Sequence, residues 1–180
     1  MTETSFPWFF WLFPVAFAVH NLEEAIWLPA WSQSSGRYYR PVGRFELSFA
    51  AAVITAISVI ITILFYSDGK QSLPCYLFFG FNFGMFANVF FPHLAATIAL
   101  RKYCPGLLTA LFFLLPTTSI VLSYGYKNEF FLFPKFWFIT IPFAALVIGS
   151  IPILFKIGRL TGRLLKRSHP SGQNGIGSPV

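Results

Sequence analysis

The chain has 180 residues, of which 56% are hydrophobic, 20% aromatic and only 11% charged, and its mean hydropathy is +0.65. Soluble domains carry about 25% charged residues, so these figures argue against a soluble globular enzyme and exclude a disordered chain, a collagen-like chain and a disulfide scaffold. The net charge of +7 comes from basic residues placed between and after long apolar runs, where they set membrane topology rather than bind nucleic acid.

Charge-free windows locate the spans. Residues 4–22, 47–67, 71–100, 103–126 and 136–155 contain no Lys, Arg, Asp or Glu. A spanning helix needs about 20 apolar residues. The windows predict an all-α, polytopic membrane bundle of about five transmembrane helices, near 6–31, 45–66, 73–100, 106–124 and 134–156. Residues 1–167 form a single domain. The stretch 168–180, rich in Gly, Pro and Ser, is expected to be a disordered tail. The first Arg is Arg37, so no basic n-region of a cleavable signal peptide precedes the first apolar run.

The cations are unevenly distributed. Arg37, Arg40 and Arg44, then Arg101 and Lys102, then Lys156, Arg159, Arg163, Lys166 and Arg167 fall on one side of a five-span chain, against Lys70, Lys127 and Lys135 on the other. The positive-inside rule predicts the N-terminus out and the C-terminus in. The basic run 156–167 is read as a stop-transfer cluster, with a helix lying on the inner leaflet as the alternative. In a bacterial host the membrane is the cytoplasmic, or inner, membrane. Cys75 and Cys104 stand at opposite ends of one apolar stretch, about 40 Å apart on a helix, and are not expected to pair.

The first span carries His20-Asn21-Leu22-Glu23-Glu24. At 100° per residue, Glu23 and Glu24 lie at −60° and +40° from His20, on one helix face. Phe13, Phe17 and Trp27 border that face. Ionisable groups at membrane depth are costly and mark functional sites. In the third span Asn82, Asn88 and His93 interrupt an apolar run. In a straight helix Asn82 and His93 share a face and Asn88 does not. Pro92 lacks an amide hydrogen and frees the Asn88 carbonyl, so a kink there is expected to swing Asn88 and His93 into one cavity. Gly80 and Gly84 have a close-packing spacing. Glu46 is expected to pair with a nearby arginine.

His20-x-x-Glu23-Glu24, the Asn88 to His93 segment, and Tyr103-Cys104-Pro105-Gly106-Leu107-Leu108-Thr109-Ala110 running on to Pro116 are three blocks in order over about residues 10–120. Together they resemble the HXXEE family of small membrane proteins. The resemblance implies that His20, Glu23, Glu24 and His93 matter, and supplies no reaction.

Three functions are open. The first is a membrane enzyme acting on a hydrophobic or lipid-like substrate, with His20, Glu24 and His93 holding a divalent metal, zinc or iron. His20, Glu23 and Glu24 are its catalytic candidates; Phe17, Trp27, Asn82 and Asn88 are its substrate-binding candidates. The second is a metal-free acid–base isomerase or cyclase using the same His/Glu cluster. The third is a proton-coupled transporter or membrane binding protein; no inverted repeat is visible. Expected partners are a lipid or other hydrophobic small molecule and the membrane. A homo-oligomer stays open, and no nucleic acid is expected.

Overall fold

The structure is a computed structural model that describes residues 6–35 and 40–168. Residues 169–180 of the expected tail, and the loop residues Arg37, Tyr38 and Tyr39, lie outside the described residues. After a tight turn at Trp8–Trp11 the chain forms five long helices: α1 (Leu12–Gln33), α2 (Arg44–Asp68), α3 (Leu73–Leu100), α4 (Leu107–Lys127) and α5 (Lys135–Ser168). No strand occurs among the described residues. Helices α2 to α5 are each long and apolar enough to cross a membrane. Helix α1 has the length, about 33 Å, but His20, Asn21, Glu23 and Glu24 lower its hydropathy.

Local chemistry fixes the ends. Ser72 caps α3 by accepting the Cys75 amide at 3.2 Å, with Pro74 in the first turn. Gly69, at φ +82°, closes α2. Helix α5 runs on past the apolar window, so the basic run through Arg163 continues the spanning helix instead of turning onto a surface. Arg159 of that run clasps Glu46 in two bonds, at 2.9 and 3.0 Å, which accounts for the third carboxylate.

Consecutive helices alternate in direction. Lys102, after α3, donates to Ser34, after α1, at 2.7 Å. Lys70, after α2, donates to the Asn128 carbonyl, after α4, at 2.9 Å. The arginine-rich ends are therefore at one end of the bundle. Much of the phenylalanine packs inward at the other. Phe10 meets Phe65, Phe78 and Phe130 with ring centroids 5.3, 5.6 and 5.4 Å away, near-perpendicular contacts worth about 0.5–1.5 kcal/mol each beyond area burial. Cys75 and Cys104 are buried and unpaired.

Two spans depart from regular geometry. Proline disfavours the α conformation in the residue before it, and Phe91, next to Pro92, leaves the helix at φ −140°, ψ 118°. The helix is thereby kinked within Val89–Leu94. Helix α4 has a widened turn at Ala110–Leu114, just before Pro116. Such turns are frequent at functional sites, and this one lies in a helix that flanks His20.

Candidate metal centre

Helix α1 turns its two glutamates toward different neighbours. Phe17, Asn21, Glu24 and Leu28 line a cavity of about 340 Å³ between α1, α2, α3 and α5, with His20 at its edge. Glu23 and Trp27 lie on the other flank of His20, beside Tyr103 and Thr109 of the α3–α4 loop and the start of α4.

Glu23 is saturated. Its Oε1 accepts the Gly106 amide at 2.9 Å and the Tyr103 hydroxyl. Its Oε2 accepts the Thr109 amide at 2.9 Å and the Thr109 hydroxyl at 2.5 Å. The two amides belong to the first turn of α4, whose N–H groups have no partners within the helix. A carboxylate from another helix therefore caps α4, where the helix dipole favours negative charge.

That cap also orients His20. The Thr109 hydroxyl spends its single proton on Glu23, so at 3.1 Å from His20 Nδ1 it accepts the Nδ1–H. The Nε2 lone pair is left facing inward. Asn88 Nδ2 approaches this atom at 3.4 Å, and Glu24 Oε1 lies 3.8 Å from it. His93 is arranged alike. Its Nδ1 faces Cys104 Sγ at 3.9 Å, while its Nε2 is buried without a hydrogen bond, 3.3 Å from Glu24 Oε1. The rings meet edge to face with centroids 4.9 Å apart.

Thus two imidazole Nε2 atoms converge on one carboxylate oxygen, and one ligand atom from each of His20, Glu24 and His93 lies within 4.8 Å of the others. A tetrahedron with bonds of about 2.1 Å has edges of about 3.4 Å. The Glu24–His93 edge matches, and the remaining edges close with side-chain shifts of about 1 Å. His20 Nδ1 is held by a group outside the cluster, the pattern that orients metal-binding histidines, and His93 Nδ1 lies against Cys104 Sγ.

Gly106 completes the enclosure. A Cβ there would stand 2.5 Å from His93 Cε1 and 2.9 Å from His20 Cε1, and the residue sits at φ +94°. Only glycine satisfies both constraints.

The profile of the family described as "Protein of unknown function with HXXEE motif" matches residues 11–121. The chain belongs to the HXXEE family. A relative from Bacillus subtilis (strain 168), named "Uncharacterized protein YrkK", is 36% identical over 146 residues, covering 81% of this chain and 92% of that protein. No solved structure matches. In this HXXEE protein the motif divides its labour: the first glutamate caps α4, and the second faces the histidines.

The other sequence candidates are placed as follows. Phe17 and Asn88 line the cavity. Asn82 does not reach it: its amide donates to the Phe78 carbonyl at 2.9 Å, because the break at Phe91 ends the straight-helix alignment of Asn82 with His93. Trp27 is 62% exposed on the outer flank, since the cavity lies on the opposite side of His20. Glu23 is taken up by the Tyr103, Gly106 and Thr109 donors. Sequence reasoning placed Tyr103, Gly106 and Thr109 in the third block of the family resemblance and named none of them as a site residue. The absence of a side-chain cap within α4 itself is the local signal that the helix start is capped from elsewhere.

Proposed function

We propose that this protein is an integral-membrane enzyme acting on a hydrophobic or lipid-like substrate, with a divalent metal, zinc or iron, held by His20, Glu24 and His93. One observation carries the reading: two imidazoles turn their Nε2 atoms to the same Glu24 oxygen at the wall of a largely apolar cavity. Two histidines and a carboxylate are a ligand set for catalytic zinc and for non-haem iron, leaving positions for substrate or water. Such an ion supplies Lewis acidity toward a carbonyl or phosphoryl oxygen and activates water.

The chain's own residues do the rest. Glu23 and Thr109 hold the His20 tautomer. Phe17 and Leu28 exclude water from the cavity and pack against a hydrocarbon chain. Asn88, whose amide reaches the cluster, binds a polar group of the substrate. Charge asymmetry supports an orientation with the arginine-rich end inside, which reporter fusions at the two termini test. Incubating the purified protein with bilayer lipids, with and without added zinc or ferrous iron, tests the activity. Metal-dependent turnover of a lipid that Glu24→Gln abolishes is expected.

A metal-free acid–base site is the second reading, favoured by the placing of the Glu24 carboxylate 3.3 Å from the buried His93 imidazole, an acid and a base side by side. Activity that survives complete chelation, yet is lost in Glu24→Gln, selects it.

A further inference from the structure

We infer that the groove between α3 and α5 holds a single hydrocarbon chain of a bilayer lipid and leads it sideways into the His/Glu cavity. The proposal rests on the reading of that cavity as a lipid-handling site.

The groove has a volume of about 330 Å³. It shares Met85, Asn88, Phe91, Val147 and Ile148 with the cavity beside His20 and Glu24, so the two spaces adjoin across these five residues. Phe91 and Ile148 are 77% and 66% exposed on the outer surface of the bundle, where acyl chains pack in a bilayer. The lining is almost wholly apolar, which fits a hydrocarbon chain and no charged ligand.

The glycines at the groove explain its shape. Gly80 lets Thr140 approach so closely that a Cβ would stand 2.9 Å from Thr140 Oγ1; there the two helices touch. One turn on, Gly84 has nothing within 4 Å of where a Cβ would be, and the helices part. The glycine pair thus closes one end and opens the other. From Gly80 to Asn88 the groove runs about 12 Å, ending at the residue whose amide reaches His20. Thr140 Oγ1, buried without a hydrogen-bond partner, also lines the groove and can receive a weakly polar group on the chain. The break at Phe91, caused by Pro92, opens the wall between groove and cavity.

The test uses full-length protein in nanodiscs of phosphatidylethanolamine and phosphatidylglycerol, doped with a phospholipid bearing a diazirine on one acyl chain. After illumination, peptides spanning residues 85–91 and 140–148 are expected to carry more label than those with Ile60 and Ile63, which are comparably exposed on α2. Gly84→Phe, at a position where a Cβ meets nothing within 4 Å, puts a ring into the groove and is expected to remove that excess; Ala87→Phe does the same if Gly84→Phe does not fold. Gly149→Phe, where a Cβ also meets nothing within 4 Å but outside the groove, is expected to keep it. Even labelling of all exposed helix faces, or an excess that persists in both groove variants, overturns the proposal. So does a chain-to-chain adduct at the Gly84 face, which would mean that a second copy covers the groove. Metal content is read on the same samples: labelling without metal retains the groove and refutes the metal centre, and metal without labelling does the reverse.

Discussion

Glu23 Oε1 accepts the Gly106 amide at 2.9 Å, tying a carboxylate of the first helix to the turn that opens the fourth. Glu24, the next residue, takes no comparable bond and faces two histidines. Adjacent, chemically identical residues therefore have separable roles. Glu23→Gln replaces a charged acceptor that serves four donors, and each hydrogen bond to a charged group is worth about 1.5–3 kcal/mol. It is expected to lower the thermal midpoint in detergent markedly. Glu24→Gln is expected to leave the midpoint of the metal-free protein within a few degrees while removing metal. Melting curves with and without chelator separate the two.

Gly106→Ala combines a left-handed backbone strain of about 1–2 kcal/mol with a Cβ 2.5 Å from the His93 ring. Loss of stability and of metal together is expected. Gly149→Ala, facing open space, is expected to preserve both. The pair is checked by metal titration and melting.

Thr109 links Glu23 to His20 through one hydroxyl. Thr109→Val keeps the shape and removes both bonds. A 10- to 100-fold loss of metal affinity is expected, the usual scale for the partner that orients a ligand histidine. Thr109→Ser, which retains the hydroxyl, is expected to recover most of it. Competition with a chromophoric chelator measures the affinities.

Burial, and then the hydrogen bond to Glu23, push the Tyr103 phenol from its ordinary 10.0 up to about 12. Because the folded value is raised, the protonated phenol stabilises the fold in full below pH 10. That contribution fades as the pH climbs through about 12. The stability difference between wild type and Tyr103→Phe is therefore expected to be constant up to about pH 10 and to shrink above it, as followed by denaturation at a series of alkaline pH values.

Much of this was legible in the sequence because the membrane simplifies the code. Charge-free windows located α2, α3 and α4 to within a few residues, since backbone groups in lipid must be satisfied within helices. Helix α5 proved longer than its apolar window because Lys156, Arg159 and Arg163 do not interrupt a helix once they leave the apolar layer. The early start expected for α1 failed after Pro7, where the chain first makes the tight turn Trp8–Trp11 before α1 begins at Leu12. At the site, helical periodicity put His20, Glu23 and Glu24 on one face, and the proline rule indicated the kink before His93. Periodicity could not say which flank of His20 would face the cavity, so it grouped Glu23 and Trp27 with Glu24. That choice depends on where the α3–α4 turn docks, a tertiary fact. Asn82 was misplaced for a related reason: a break at Phe91 destroys the phase of a straight helix beyond it.

In the proposed centre, His20, Glu24 and His93 hold one divalent metal between α1 and α3. Elemental analysis of protein purified in mild detergent without added metal tests it most directly, with His20→Ala and His93→Ala prepared in parallel. The account predicts close to one zinc or iron per chain in the wild type, lost in both variants, and released on acidification because the ligands must be deprotonated to bind. Folded wild-type protein free of zinc and iron, and unable to take up either when supplied, would contradict it.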